Sequence, residues 1–143
     1  MMNTGPIQSS RWAALYLKLL AVMLVLDGAW LGTMMPVYRA GYGPLLADEI
    51  MILPGVFFYL IYVGAILVLV VLPATTSQEL IYKAIILGLA AYGTYDLTNM
   101  ATLRGLPVWL AIVDLCWGVI VTTLVSLIGY RFKGKNKRNQ ELA

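Results

Sequence analysis

The chain has 143 residues, of which 61% are apolar and 12% charged, and its formal net charge is +3. Soluble domains carry roughly 45–50% apolar and about 25% charged residues, so this composition excludes a water-soluble fold and points to lipid as the solvent. One cysteine, Cys116, and no histidine exclude an intramolecular disulfide, His-ligated haem or zinc, and Ser-His-Asp chemistry.

About 20 apolar residues in helical form cross a hydrocarbon core of ~30 Å, and four stretches qualify, at about 12–35, 50–72, 80–103 and 107–130. The first is too long for the core of a secretory signal and contains Lys18 and Asp27, so it reads as a retained helix. Pro36 to Glu49 is the longest connection, with Asp48 and Glu49 as solvated residues. Between the second and third stretches, Pro73 to Glu79 reads as a turn and a helix start, with Ser77 as N-cap. Arg104 to Leu106 is a tight turn, and the only interior proline expected is Pro54, near a helix end. The apolar runs do not alternate with the period of a barrel strand. The expected fold is all-α: a four-helix transmembrane bundle forming one domain over residues 1–143, with a basic tail at 131–143.

That tail carries Arg131, Lys133, Lys135, Lys137 and Arg138 directly after the fourth helix. The positive-inside rule places it in the cytoplasm, and an even number of spans places the N-terminus with Arg11 there too. The tail reads as a topology anchor on anionic lipid; no nucleic-acid partner is expected. Lys18 can snorkel to the same surface. Arg104 reads as an anchor at the outer rim. Trp12, Tyr42, Trp109 and Tyr130 read as interfacial belt residues, and Gly28-x-x-x-Gly32 as a helix-packing face.

The costly residues are Asp27, Asp96 and Asp114, in helices one, three and four. On insertion scales each costs about 2.5–3.5 kcal/mol near the bilayer centre. The three together cost on the order of 7–10 kcal/mol, comparable to a whole folding stability. Counted at 1.5 Å per residue from the outer ends of their helices, they fall within a few ångströms of one depth, and Tyr59 of helix two joins that layer. On helix three, Gly88, Tyr92, Tyr95, Asp96, Asn99 and Thr102 form one polar stripe; on helix two, Gly55, Tyr59 and Tyr62 share a face. Helices one and four each carry Asp-x-x-Trp, Asp27 with Trp30 and Asp114 with Trp117. Because the two helices are antiparallel, the tryptophans are expected as walls above and below the carboxylate layer.

No basic residue lies at that depth, so a shared proton or a bound cation is expected to neutralise the carboxyl groups. The candidate catalytic residues are Asp96, as acid–base group, with Asp27 and Asp114. The candidate ligand-binding residues are Trp30, Tyr59, Tyr62, Tyr92, Tyr95, Asn99 and Trp117. An oxygen-ligated metal on Asp27, Asp96, Asn99 and Asp114 is a lesser alternative, and no haem, zinc or nucleotide site is expected.

The chain resembles a family of small bacterial inner-membrane proteins catalogued as domain of unknown function twenty-one seventy-seven. The resemblance rests on Tyr16-Leu17-Lys18, Asp27-x-x-Trp30-Leu31-Gly32, Phe58-Tyr59-x-x-Tyr62-x-Gly64, Pro73-Ala74, the run Tyr92 to Thr102, and Asp114-x-x-Trp117-Gly118. It implies four helices and a bacterial cytoplasmic membrane, and supplies no reaction.

Three functions fit these residues. The first is a pocket in the outer half of the bilayer that binds or modifies a lipid or another hydrophobic small molecule. The second is a proton- or cation-coupled carrier, which a homodimer of so small a bundle could form. The third is a structural or assembly subunit whose polar layer only locks the helices. The few interior prolines and the lack of a clear repeat favour a fixed pocket over a rocking carrier.

Overall fold

A computed structural model describes residues 6–47, 49 and 51–141, with side-chain placement for 8–47, 49 and 51–134. Among these residues there are four long helices and no strand: α1 Pro6–Tyr42, α2 Ile52–Ala65 continuing as a π-helical segment Ile66–Val71, α3 Ser77–Thr102, and α4 Val108–Glu141. Three spans, Gln8–Leu45, Ile52–Val71 and Val108–Gly134, are long and apolar enough to cross a membrane. The fourth helix, α3, has 26 residues, about 39 Å at 1.5 Å per residue. It misses that apolar standard because its sequence carries the polar stripe.

The helices follow one another antiparallel. One end of the bundle, here the loop end, holds the α1–α2 and α3–α4 connections; the other, the termini end, holds the α2–α3 connection and both chain ends. At the termini end Leu15, Leu19 and Met23 of α1 interlock with Val63, Ile66, Val70 and Val71 of the second helix, Leu80 and Ala84 of α3, and Val121 and Val125 of α4. Val25, Ile61, Val68, Leu69, Leu97 and Ile112 point outward and are exposed. In water such a surface would drive aggregation; in a bilayer it is the lipid face. Because lipid tails are as apolar as leucine, the helices are held by close packing rather than by escape from water.

Glycine provides that closeness between α3 and α4. A Cβ on Gly88 would stand 2.9 Å from Val119 Cα, and one on Gly118 would stand 2.1 Å from Tyr92 Cγ. The Gly28–Gly32 face, expected to pack, is open: an added Cβ at either position meets nothing within 4 Å. The reason is the helix's own register. Leu15, Leu19, Met23 and Asp27 form the buried ridge of α1 at spacing four, which turns the two glycines outward.

Several boundaries differ from expectation. The first helix does not stop at Met35 but runs through Pro36 to Tyr42. Proline deprives only the Gly32 carbonyl of its partner, and the Thr33 hydroxyl bonds nearby to the Ala29 and Trp30 carbonyls. The N-cap of α3 is Thr76 rather than Ser77: its hydroxyl accepts from the Glu79 N–H at 3.2 Å. The Glu79 carboxylate in turn accepts from the Thr75 N–H and hydroxyl and from Lys83, a variant of the capping box. Lys83 first, then the Thr75 donors, lower the Glu79 pKa to about 2.

The expected basic tail is a continuation of α4. Within it, the Lys133 ammonium reaches across to the end of helix two and donates to the carbonyls of Val71, Leu72 and Ala74 at 3.0, 2.7 and 2.9 Å. The π-helical turn, with Leu72 N–H bonded to Leu67 O, ends there, and a cation is the natural partner of such a C-terminus. Tyr130 adds a bond to the Thr75 carbonyl. Lys18 lies over the Phe132 ring at 5.1 Å, so its charge is held on α4. The side chains of Lys135, Lys137 and Arg138, and Asp48, lie outside the described residues.

Candidate functional site

The loop-end half of the bundle holds a cleft that opens at the bundle surface, where Phe58 and Tyr95 are exposed. One chamber, about 430 Å³, lies among all four helices and is lined by Asp27, Trp30 and Leu31 of α1, Phe58 and Tyr59 of α2, Ala91, Tyr92 and Tyr95 of α3, and Asp114 and Trp117 of α4. Periodicity explains why α1 brings Asp27, Trp30 and Leu31 to one wall: they fall at offsets of three and four. Glycine explains why α3 and α4 leave room beside it. Tyr92 lies flat on Gly118, which sets the ring back against α4.

Two carboxyl groups organise the chamber. Asp27, only 6% exposed, accepts from the Tyr59 hydroxyl on one oxygen, at 2.5 Å, and from the Trp117 indole N–H on the other, at 2.7 Å. Asp114 accepts from the Tyr38 hydroxyl at 2.5 Å, and Tyr38 in turn accepts from the Trp30 indole N–H at 3.0 Å. Each aspartate is thus tied to the tryptophan of the other Asp-x-x-Trp motif, directly in one case and through a tyrosine in the other. The two indoles stack with centroids 4.4 Å apart and planes within 3°.

This corrects the expected placement of the tryptophans above and below the carboxylates. Side chains lean toward the N-terminus of their own helix. On antiparallel helices those leans point at each other, so Trp30 and Trp117 converge into a single stacked pair.

A second cavity of about 330 Å³ adjoins the chamber toward the loop end. Its walls include Tyr38, Tyr42, Asn99 and Leu103, and it shares Leu31, Tyr95 and Asp114 with the chamber. Tyr42, expected in the interfacial belt, lines this cavity and packs on Tyr38 at 5.9 Å.

The remaining candidates are placed as follows. Trp30, Tyr59, Tyr92, Tyr95 and Trp117 join Asp27 and Asp114 in the chamber wall. Asn99 lines the outer cavity. Tyr62 lies beneath the chamber, where it shares a hydrogen bond with Thr122 at 2.6 Å and packs edge-on against Tyr92. Asp96 lines neither cavity. It is on the α4-facing ridge of α3 with Gly88 and Gly93, 2% exposed, and neither of its oxygens has a hydrogen-bond partner. It stands close enough to Asp114 for the two charges to interact. Thr102 is exposed at the helix end.

The four-ligand metal site is not assembled: among the described residues no three carboxylate or thiolate side chains gather around a common point. Tyr38 and Phe58 are wall or network residues that the sequence reading missed. Tyr38 follows Asp27 by 11 residues, three helical turns, so the signal was present once α1 is allowed through Pro36.

A family model described as a predicted membrane protein, DUF2177, matches residues 12–131. The chain belongs to the DUF2177 family. That match takes in every chamber residue of this DUF2177 protein, from Asp27 to Trp117. No curated protein and no solved structure matches the chain.

Proposed function

We propose that this DUF2177 protein spans the bacterial cytoplasmic membrane four times, with both termini in the cytoplasm, and holds a lipid or another hydrophobic small molecule in the aromatic chamber. The observation that carries the proposal is the chamber itself: an apolar hollow of about 430 Å³ with a few convergent polar groups, the form that small-molecule sites take. A bundle locked only for structural reasons needs no such cleft, since close packing is what holds membrane helices together. The topology is supported by the lysines and arginines at the end of α4.

Asp27 and Asp114 are the groups a bound molecule would touch, and Tyr59 and Tyr38 fix their orientation through hydrogen bonds. Asp96 would act on such a molecule through Asp114. The test is native mass spectrometry of the gently purified protein beside Ala91→Leu, which fills the chamber from α3. A hydrophobic molecule retained at about one per chain and lost in the variant supports the reading. A wild-type chain that carries nothing in several membrane mimetics refutes it.

A proton- or cation-coupled carrier is the second reading, favoured by the unpartnered Asp96, since buried intramembrane carboxyls are the usual relay. It predicts flux into liposomes that Asp96→Asn abolishes.

A further inference from the structure

The chamber and its outer neighbour share a property that decides what charge an occupant can carry. Their polar points are carboxyl groups and neutral hydroxyl, amide or indole groups; neither is lined by a lysine or an arginine. At the loop end Arg39 and Arg104 are both exposed. The donors that reach Asp27 are a phenol and an indole, and the donor that reaches Asp114 is a phenol. Such donors are neutral: they orient a carboxyl group and supply no counter-charge.

Asp27 and Asp114 both line the chamber, and Asp114 lines the outer cavity as well. An anion entering this space would meet two carboxyl groups and no lysine or arginine, in a poor dielectric where repulsion is least screened. A cation would meet them with attraction, and would meet aromatic faces as well. The rings of Trp30, Trp117, Tyr59 and Tyr92 line the chamber, and an aromatic face not covered by its neighbour carries negative π density that attracts a desolvated positive charge. Aromatic walls around a carboxylate are the recognition chemistry of an organic ammonium ion.

Building on the reading of the chamber as a binding site, we infer that its occupant is a lipophilic cation, an amine or quaternary onium group on an apolar body, and that fatty acids and anionic phospholipids are excluded. The apolar body lies in the chamber. The charge sits between Asp27 in the chamber wall and Asp114, which the chamber shares with the outer cavity.

The experiment uses the full chain in nanodiscs of neutral lipid and two ions of nearly one shape, tetraphenylphosphonium and tetraphenylborate. Binding is measured by equilibrium dialysis against empty nanodiscs. The Trp30–Trp117 exciton signal in circular dichroism checks that each variant keeps its fold. The expected result is saturable binding of one tetraphenylphosphonium per chain, no displacement by tetraphenylborate, and at least a tenfold loss of affinity in Asp114→Asn and in Asp27→Asn. Displacement by tetraphenylborate at equal concentration overturns the inference, as does unchanged affinity in the folded double variant. If neither ion binds while the purified chain retains a neutral or anionic molecule that Ala91→Leu expels, the cation inference fails and the pocket stands. If neither ion binds and nothing is retained, both fail.

Discussion

The contact between Tyr92 and Gly118 can be tested by adding a single carbon. In Gly118→Ala the new Cβ would fall 2.1, 2.3 and 2.5 Å from Cγ, Cδ2 and Cδ1 of Tyr92. An ordinary van der Waals contact needs about 3.5 Å or more, so the ring must retreat by more than about 1 Å. These atoms are at the root of the ring, where no rotation of the side-chain tip relieves them. Tyr92 is confined on one side by Tyr62, packed edge-on at 6.0 Å, so its exit is into the chamber. Overpacking of this kind costs about 1–3 kcal/mol, against a gain of up to ~1 kcal/mol from replacing glycine by alanine in a helix. The net expectation is a loss of about 1–2 kcal/mol, together with a smaller chamber. Gly28→Ala is the control, since its Cβ meets nothing, and should be neutral or slightly stabilising. Reversible unfolding in mixed micelles measures both. The decisive comparison is the cycle with Tyr92→Ala: if the clash is the cause, the Gly118→Ala penalty disappears in that background. A penalty that persists without the Tyr92 ring, or no penalty at all, refutes the packing described here.

Four further outcomes follow from the same contacts. Trp117→Phe keeps the stack on Trp30 but removes the N–H from Asp27, leaving a buried acceptor unmet; unfolding should show a loss of about 1–3 kcal/mol. Asp96→Leu removes two unpartnered buried oxygens and should raise stability by about 1–3 kcal/mol, while Asp96→Asn folds normally and alters binding or flux. Lys133→Met strips three carbonyls of their donor; hydrogen exchange should quicken around residues 71–76 with little change near Asp114. Glu79, whose pKa is lowered to about 2, contributes stability that is fully present above its usual carboxylate pKa, near 4.5. That contribution is lost as pH falls from there through 2, and Glu79→Gln should flatten the stability profile in that window alone.

The membrane class and the four helices were legible because lipid imposes long apolar runs, and because intramembrane aspartates are too costly to overlook. Helical periodicity also carried Asp27 with Trp30 and Asp114 with Trp117, each to one face. Tyr38 was missed because Pro36 was read as a terminus, although one missing N–H costs a helix only one hydrogen bond. The stack of Trp30 on Trp117 depends on the lean of side chains along antiparallel helices, which counting residues by depth ignores. The setting of Asp96 toward α4, away from the chamber lined by its neighbours Tyr92 and Tyr95, turns on the roll of α3 against Gly118. That roll is a tertiary contact, and nothing in the stripe of α3 encodes it alone. The π-helical turn at Ile66–Val71 likewise has no local mark in a run of β-branched and leucine residues.

The bond from Lys133 to the end of helix two gives the molecule the shape of a clothes-peg. Beside it the jaws are pressed shut over a solid apolar filling; at the far end they stand apart around empty space. From Lys133 to Asp114 along α4 is about 29 Å of stiff rod, at 1.5 Å per residue. A tilt of about 10° at the grip would therefore carry the Asp114 carboxyl sideways by roughly 5 Å, more than the 2.5 Å that joins it to Tyr38. Such a tilt would break the bonds that wall the open end, and the close contacts of Gly118 with Tyr92 and of Gly88 with Val119 hold α4 against it.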